Sequence, residues 1–185
     1  ILSIDDLLTK LRDVESSLYA DDASIYKSGR SIHRVYQTVQ RNLNVVSAWC
    51  KQNGFILSPT KTISVLFTRS KQKMPGPLQI DGKLIKMEKS ARFLGVIFDS
   101  RLTWAEHINY IVEKCNKRLN CMRAIAGTKW GANRKLLLML YRGLIRSVLD
   151  YGSIAFDSAS AHIKAKLDVV HHKALRIAAG AFKTT

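Results

Sequence analysis

The sequence predicts an α+β fold in which a mixed first part is followed by a helical second part. Apolar residues alternate or cluster in short runs up to residue 100, whereas from Thr103 onward they recur every three or four residues. The dipeptide Asp81–Gly82 between two short apolar arms is a strong β-hairpin signal. With 185 residues, 46% of them hydrophobic, the chain is long enough to bury a core. We therefore expect two parts, residues 1–100 and 101–185.

The first part combines one long helix with several strands. Residues 31–53 place their apolar side chains on one helical stripe that ends at an Asn-Gly pair. The run ISVLFTR (63–69) is rich in β-branched and aromatic residues and predicts a strand. The run RFLGVIFD (92–99) predicts another, whose glycine indicates a bulge or the close approach of another backbone. Together with the predicted hairpin, these segments indicate that the first hundred residues are mixed α and β.

The second part reads as three helices with short connections. Apolar stripes run through residues 104–122, 136–148 and 163–177, and glycines separate them. Short connections favour helices that pack as antiparallel neighbours, so we expect a small three-helix bundle.

The net charge of +16 at pH 7 indicates a polyanionic partner, most commonly nucleic acid. Residues 1–90 carry 14 basic and 8 acidic side chains, whereas residues 91–185 carry 16 and 6, which makes the second part the better nucleic-acid surface. A solvated basic surface without a partner is the alternative. No apolar run approaches the ~18 residues that a membrane span needs, so we expect an intracellular protein with no membrane partner.

Cysteine and histidine residues give no sign of a metal centre. Cys50, Cys115 and Cys121 are odd in number and lack paired short spacings, so we expect free thiols, a reducing compartment and no structural metal. The histidines are scattered, apart from one adjacent pair that projects in different directions from a helix, and we assign them no ligand role.

The run SSLYADDASIY (16–26) places Asp21 and Asp22 side by side between two short apolar segments. Two strands meeting at this pair would form a tight hairpin with both carboxylates at its tip. Neighbouring carboxylates raise each other's pKa unless a cation compensates them, and Mg²⁺ accepts carboxylate and phosphate oxygens together. A plain turn is the alternative, since adjacent aspartates commonly form turns.

Five sequence blocks occur in a defined order along essentially the whole chain: YADD, WCKQNGF, LSPTKT, RFLGVIFDSRLTWAEHI and LIRSVLDYGSIAF. In this order they resemble the reverse transcriptase of non-LTR (LINE-type) retrotransposons, particularly the jockey-like group. The resemblance implies a partial right-hand polymerase, with the C-terminal part of the palm in residues 1–100 and a thumb-like helical domain in residues 101–185. The palm part would consist of the catalytic β-hairpin, a helix and a small antiparallel sheet. It also implies RNA template, DNA primer and deoxynucleoside triphosphates as partners, Mg²⁺ as cofactor, and a nuclear and cytoplasmic location.

The resemblance implies roles for particular residues. Asp21 and Asp22 match the catalytic metal-binding pair, with Tyr19 and Ala20 completing the hairpin, and Lys61 matches a lysine that assists pyrophosphate departure. Ser58 stands where the family usually has asparagine, a departure that concerns local capping. The further matches are a primer-grip turn (Phe93, Leu94, Gly95) and phosphate-binding side chains on the first thumb helix (Lys114, Lys117, Arg118, Arg123).

The family also has a metal-binding aspartate on a strand well upstream of the catalytic pair. Asp5 and Asp6 lie too near Asp21 to replace it, and SIDDLL instead resembles the stretch that directly precedes the family hairpin. Because the chain begins at Ile1 and its first methionine is Met74, we expect a piece of a longer protein. Because the upstream metal-binding aspartate is absent from the sequence, we expect that this piece does not polymerise by itself. The alternatives are a non-catalytic nucleic-acid-binding remnant and a basic helical interaction module in which the aspartate pair is accidental.

Overall fold

The computed structural model describes residues 5–20, 22–71, 73–126 and 131–181. The chain divides into two compact units, Ile1–Ala91 and Arg92–Thr185. This division lies earlier than the boundary predicted between residues 100 and 101, because the strand that ends at Asp99 packs against the first long helix of the second unit. A mixed first unit followed by a mainly helical second unit confirms the α+β class.

The first unit contains helices, antiparallel strand pairs and one parallel pair. Its elements are α1 (Asp5–Lys10), β1 (Glu15–Tyr19), β2 (Asp22–Tyr26), α2 (Ile32–Gln52), β3 (Ile63–Val65), β4 (Gln79–Ile80), β5 (Lys83–Leu84) and β6 (Lys86–Glu88). Strand β1 pairs antiparallel with β2, and β4 pairs antiparallel with β5. Strand β3 pairs parallel with β6, so the prediction of a small antiparallel sheet is wrong for this pair.

The long helix α2 confirms the stripe predicted over residues 31–53. Its start is capped by Ser31, whose hydroxyl accepts a hydrogen bond from the Arg34 N–H at 3.4 Å. At its end the Asn53 side chain donates to the Trp49 carbonyl at 2.8 Å, and Gly54 turns the chain with φ of 74°. Local sequence therefore determines both ends of this helix.

The strands of the first unit are shorter than their sequence pattern indicates. The strand predicted over residues 63–69 pairs only at Ile63–Val65, because its partner β6 offers just Lys86–Glu88. The hairpin predicted at Asp81–Gly82 is confirmed, and both residues have the positive φ, 51° and 74°, that a two-residue turn of this kind requires. Leu78, Ile80 and Ile85 next to this hairpin pack against the apolar face of α2.

The second unit is a strand pair followed by helices. Its elements are β7 (Ser90–Phe93), which begins just before the division, β8 (Val96–Asp99), α3 (Ala105–Ile125), α4 (Arg134–Leu140), a π-helical segment (Tyr141–Arg146), α5 (Ser147–Asp150), α6 (Ser153–Phe156) and α7 (Ala161–Ala179). Across the described ranges, no helix has the length and apolar character needed to cross a membrane.

The single strand predicted over residues 92–99 is wrong, because the segment is a hairpin. Strands β7 and β8 pair with each other, and Leu94 and Gly95 form the connection. Both connecting residues have positive φ, 47° and 82°, so the chain reverses at the glycine that the sequence pattern placed inside a strand.

The helices predicted for the second unit are confirmed, with the middle one interrupted by the π-helical segment. Helices α3 and α7 contribute most of the core, and the buried side chains shared with the neighbouring segments include Ile108, Leu119, Met122, Ile145, Val170 and Ala174. The short helix α6 was not predicted, and it adds the buried side chain of Phe156 to the same core.

Candidate functional site

The hairpin predicted around the aspartate pair is formed by β1 and β2. Tyr19 lies directly opposite Asp22, so two residues connect the strands, and the first of them, Ala20, has φ of 53°. Asp21 lies outside the described residues. Because residues opposite each other in an antiparallel pair project to one face, the Tyr19 ring and the Asp22 carboxylate share a face at the tip. Both side chains are exposed.

The Asp22 carboxylate makes no hydrogen bond or ion pair with any other described residue. Further along the same face, Glu15 lies opposite Tyr26, and its negative charge and hydrogen bond raise the pKa of the Tyr26 hydroxyl. Within the described ranges no three His, Cys, Asp or Glu side chains gather into a metal-binding group. Asp22 is thus an open carboxylate at a hairpin tip rather than part of a closed ion-pair network.

The hairpin is held against α2 by a small apolar cluster and by one buried amide. Ile25 of β2 packs against a cluster formed by Leu7, Val46, Trp49 and Cys50. Such burial removes the register freedom of the hairpin, because a slip by one residue would turn Ile25 away from this cluster.

Asn42 is the buried amide that ties α2 to the segment before β1. Its Oδ1 accepts from the Arg12 N–H at 2.9 Å, and its Nδ2 donates to the Arg12 carbonyl at 2.9 Å. Asn42 is only 2% exposed, so this pairing satisfies polar groups that would otherwise be costly to bury. Sequence reasoning missed Asn42, although a polar residue within an apolar helical stripe is a recognisable signal.

Lys61 lies in the turn that follows α2. The Ser58 carbonyl accepts hydrogen bonds from the Lys61 N–H at 3.2 Å and from the Thr62 N–H at 3.0 Å, which closes the turn. The Lys61 side chain is exposed. Leu57, directly before this turn, packs against the same apolar cluster as Ile25 of the hairpin. The role of Lys61 in catalysis remains a prediction.

The predicted primer-grip residues occupy the β7–β8 connection. Phe93 is half-buried at the end of β7, while the Leu94 side chain is exposed at the tip. The Tyr151 hydroxyl donates a hydrogen bond to the Leu94 carbonyl at 2.6 Å. Sequence reasoning gave Tyr151 no role, although it lies in one of the quoted blocks, because the contact spans distant parts of the chain.

The predicted phosphate-binding residues of α3 differ in their surroundings. Lys117 is exposed and pairs with Glu113 at 2.8 Å, and the hydrogen bond and charge of Glu113 raise the pKa of the lysine. Arg118 is turned toward the π-helical segment, where its Nη1 donates to the Leu144 carbonyl at 2.6 Å. Lys114 and Arg123 complete the set.

Those two cations also have local partners. The Lys114 Nζ lies 5.8 Å from the centre of the Tyr110 ring, and the Arg123 Nη1 donates to Asn120 Oδ1 at 2.6 Å. Of the four predicted residues, Arg118 is therefore the one with a structural contact across the bundle. Binding of phosphate by any of the four remains a prediction.

A protein-family comparison identifies the chain. A model described as reverse transcriptase (RNA-dependent DNA polymerase) matches residues 1–98, a span that includes the β1–β2 hairpin, Lys61 and the β7–β8 turn. The chain belongs to the reverse transcriptase family. The exposed hairpin of this reverse transcriptase chain is thus also the element that the sequence resemblance assigned to catalysis.

Curated relatives of this reverse transcriptase chain come from mobile elements. It is 24% identical over 159 residues to the probable RNA-directed DNA polymerase from transposon BS of Drosophila melanogaster, covering 85% of the chain and 18% of that protein. It is 23% identical over 169 residues to the RNA-directed DNA polymerase from mobile element jockey of the same organism, covering 91% and 18%.

A third relative is the Retrovirus-related Pol polyprotein from type-1 retrotransposable element R1 of Nasonia vitripennis, which is 25% identical over 166 residues, covering 82% of the chain and 47% of that protein. The resemblance to LINE-type reverse transcriptases is confirmed. The reverse transcriptase chain spans less than half the length of each of these relatives. No solved structure matches it.

Proposed function

We propose that this chain supplies the C-terminal part of the palm and the thumb of a LINE-type RNA-directed DNA polymerase. The complete enzyme copies an RNA template into DNA by extending the 3′-hydroxyl of a DNA primer with deoxynucleoside triphosphates. The observation that carries this proposal is the two-residue connection between Tyr19 and Asp22, which presents at the tip of a hairpin a carboxylate that pairs with no other described residue. Residues 1–100 would form the palm part and residues 101–185 the thumb.

Asp21 and Asp22 would hold Mg²⁺ in this enzyme. An exposed carboxylate that pairs with no cation among the described residues fits a hard metal ion, because oxygen ligands that remain open to solvent can share the ion with substrate phosphates. When bound, Mg²⁺ would stabilise the charge that develops on the transferring phosphoryl group. The protein's part is to fix the carboxylates, and the packing of Ile25 and the Asn42 contacts support that task.

The exposed side chain of Lys61 would approach the leaving pyrophosphate, and the turn at Phe93–Gly95 would hold the end of the primer strand. Lys61 lies in a closed turn, and Leu57 directly before that turn packs against the same apolar cluster as Ile25 of the hairpin, which supports a fixed position for the turn within the first unit. The exposed Leu94 tip, with backbone dihedrals unusual for leucine, supports a binding role for the turn.

Nucleic-acid binding would use the basic surface of the second unit. Lys117 and Arg123 are exposed on α3, where they can exchange their local partners for phosphates. Because such contacts release counterions from the nucleic acid, the affinity for an RNA–DNA hybrid should fall steeply as salt rises.

A non-catalytic nucleic-acid-binding protein is the second candidate function. The charge of +16 favours it independently of the hairpin, since a basic surface binds phosphates whether or not a metal site is present. The two candidates differ in what the hairpin does. The catalytic proposal requires a divalent ion at the tip, and the binding protein does not.

Mn²⁺ titration of the 185-residue chain tests the catalytic proposal, with amide signals observed by NMR. We expect paramagnetic broadening centred on Tyr19, Ala20 and Asp22, reversed by excess Mg²⁺ and lost in Asp22→Asn. Asp157→Asn is the matched control, because Asp157 is an exposed carboxylate that pairs with Lys164 at 3.3 Å. This variant should keep the broadening at the hairpin.

Two results would decide against the metal site. Broadening that follows every exposed carboxylate equally, or that persists unchanged in Asp22→Asn, would remove the support for catalysis. Salt-sensitive hybrid binding combined with either result would favour the non-catalytic protein. Salt-independent hybrid binding, or none at low salt, would contradict both candidate functions.

A further inference from the structure

The Leu94–Gly95 turn has a backbone conformation that is unfavourable for leucine. Both residues have positive φ, 47° and 82°, and the left-handed region brings the Cβ of a residue such as leucine close to the following carbonyl. Asparagine, aspartate or glycine normally occupies the first position of such a turn. The Leu94 side chain is 38% exposed, so core packing does not account for its presence. Strain at an exposed tip points to a contact outside the chain.

Tyr151 is distant from this turn in the sequence but contacts it in the structure. Its hydroxyl donates to the Leu94 carbonyl at 2.6 Å. That carbonyl belongs to the peptide between the two central turn residues, whose rotation would change the turn type. The Tyr151 ring also covers Gly95, because a Cβ at that position would lie 3.4 Å from Cε1 of the ring. One side chain therefore fixes both the orientation and the packing of the turn.

The residue after Tyr151, Gly152, also lies close to the hairpin. Gly152 has φ of 69°, and a Cβ there would lie only 3.0 Å from Cγ2 of Val96, the first residue of β8. A larger residue would be strained at this φ and would require the Val96 side chain to shift by a few tenths of an ångström. Tyr151 itself is 58% exposed, so its ring is not a core anchor. The role of Tyr151 is therefore inferred from its contacts with Leu94 and Gly95.

We propose that Tyr151 is a positioning residue that sets the Leu94–Gly95 turn for contact with the recessed 3′ end of a nucleic-acid strand. The inference rests on the proposed function, in which this turn holds the primer. Leu94 supplies the contacting side chain, and Tyr151 keeps its carbonyl and backbone in the conformation that presents that side chain. Because Tyr151 follows α5, the turn is coupled to the helices of the second unit.

Tyr151→Phe in the 185-residue chain is the direct test, since it removes only the hydroxyl. Tyr141→Phe is the matched control, because it removes a hydroxyl that lies 3.1 Å from His171 Nδ1, away from the turn. The measurements are the ¹³C shift of the Leu94 carbonyl and the affinity, by fluorescence anisotropy, for RNA–DNA hybrids with a recessed DNA 3′ end or with blunt ends.

We expect Tyr151→Phe to change the Leu94 carbonyl shift and to lower the preference for the recessed end by roughly three- to tenfold, the size of one lost hydrogen bond. Blunt-end affinity should match that of Tyr141→Phe, which should keep the recessed-end preference. A second variant, Leu94→Ala, retains the carbonyl and removes the side chain, and it should also lose the preference. An unchanged preference there would overturn the contact assigned to Leu94.

The outcomes separate this inference from the function on which it rests. A wild-type chain with a recessed-end preference that survives in Tyr151→Phe would overturn the inference alone. An equal loss in Tyr141→Phe would do the same, because the effect would then be a general one of removing a tyrosine hydroxyl. A wild-type chain without any recessed-end preference would overturn the primer-holding function and the inference together.

Discussion

The carboxylate of Asp99 accepts a hydrogen bond from the backbone N–H of Trp104 at 2.7 Å. It also accepts from the N–H groups of Thr103 at 3.0 Å and Arg101 at 3.1 Å. Trp104 stands at the start of α3 with φ of 65° and provides no side-chain cap of its own. Asp99 therefore satisfies the donors in the approach to α3 and links the end of β8 to this helix.

Lowering the pH should weaken the link that Asp99 makes between β8 and α3. Burial raises the pKa of Asp99, but the hydrogen bonds from Thr103, Trp104 and Arg101 together hold it below its ordinary value of 3.8. The stability that Asp99 contributes is thus present above pH 3.8 and lost as the pH falls through the lower, folded-state pKa. Asp99→Asn should lower the free energy of unfolding at neutral pH by about 1 kcal/mol, after allowance for solvent exposure.

Urea unfolding as a function of pH measures this effect. Asp99→Asn should flatten the acid side of the stability profile, whereas Asp157→Asn, on the surface, should reproduce the wild-type profile. Wild-type and Asp99→Asn profiles that run parallel below pH 3.8 would contradict the assignment.

The buried position of His107 predicts a second loss of stability, at milder acidity than the loss at Asp99. Its Nδ1 accepts from the Ile97 N–H at 3.2 Å, and its buried Nε2 has no hydrogen-bond partner among the described residues. Burial, and then the positive charge of Arg92, lower the pKa of His107 below 6.5. Protonation of Nδ1 would also remove the bond to Ile97, since a protonated nitrogen cannot accept.

The sign of the pH dependence follows from this lowered pKa. Below pH 6.5 the unfolded chain takes up a proton that the folded chain does not, so stability should fall by up to about 1.4 kcal/mol for each pH unit until the folded-state pKa is reached. His107→Asn keeps an acceptor near Nδ1 and should remove this dependence. His162→Asn, at an exposed position of α7, should leave the pH dependence of stability unchanged. A wild-type stability that does not change with pH below 6.5 would contradict the prediction.

Two helix starts give a matched test of capping. The Asn133 Oδ1 accepts from the Leu136 N–H at 2.9 Å, whereas Ser160 at the start of α7 makes no side-chain cap bond. Asn133→Ala should lower the free energy of unfolding by about 1 kcal/mol, and Ser160→Ala by a smaller amount. Chemical denaturation of both variants provides the comparison, which equal losses would contradict.

Lys117 and Arg118 are adjacent in sequence but should respond differently to truncation. Lys117→Ala should reduce the salt slope of RNA–DNA hybrid binding by about one and leave the free energy of unfolding essentially unchanged, because the lysine is a surface cation. Arg118→Ala should instead cost roughly 1 kcal/mol of stability, because the hydrogen bond to the Leu144 carbonyl is lost.

Glu113→Gln is the control for this pair, since it frees Lys117 from its ion pair and should raise hybrid affinity at low salt. Binding titrations across a salt series, together with thermal unfolding, would check both effects. A salt slope that changes in Arg118→Ala and not in Lys117→Ala would reverse the assignment.

Much of the fold was predictable where short-range chemistry decides it. The start of α2 at Ser31, the turn at Asp81–Gly82 and the helical stripes of the second unit all follow from neighbouring residues. The extent of β3 and its parallel pairing with β6 could not be predicted from neighbouring residues. Strand pairing depends on the length and position of a partner strand that is distant in the sequence.

For the candidate site, the sequence by itself determined the Tyr19–Asp22 hairpin and the family, since both depend on local residue patterns and their order. The tertiary structure decided that Arg118 contacts Leu144 and that Tyr151 holds Leu94. These contacts join residues far apart in the chain, and a charge or a hydroxyl has no preferred partner until packing brings one within hydrogen-bond distance.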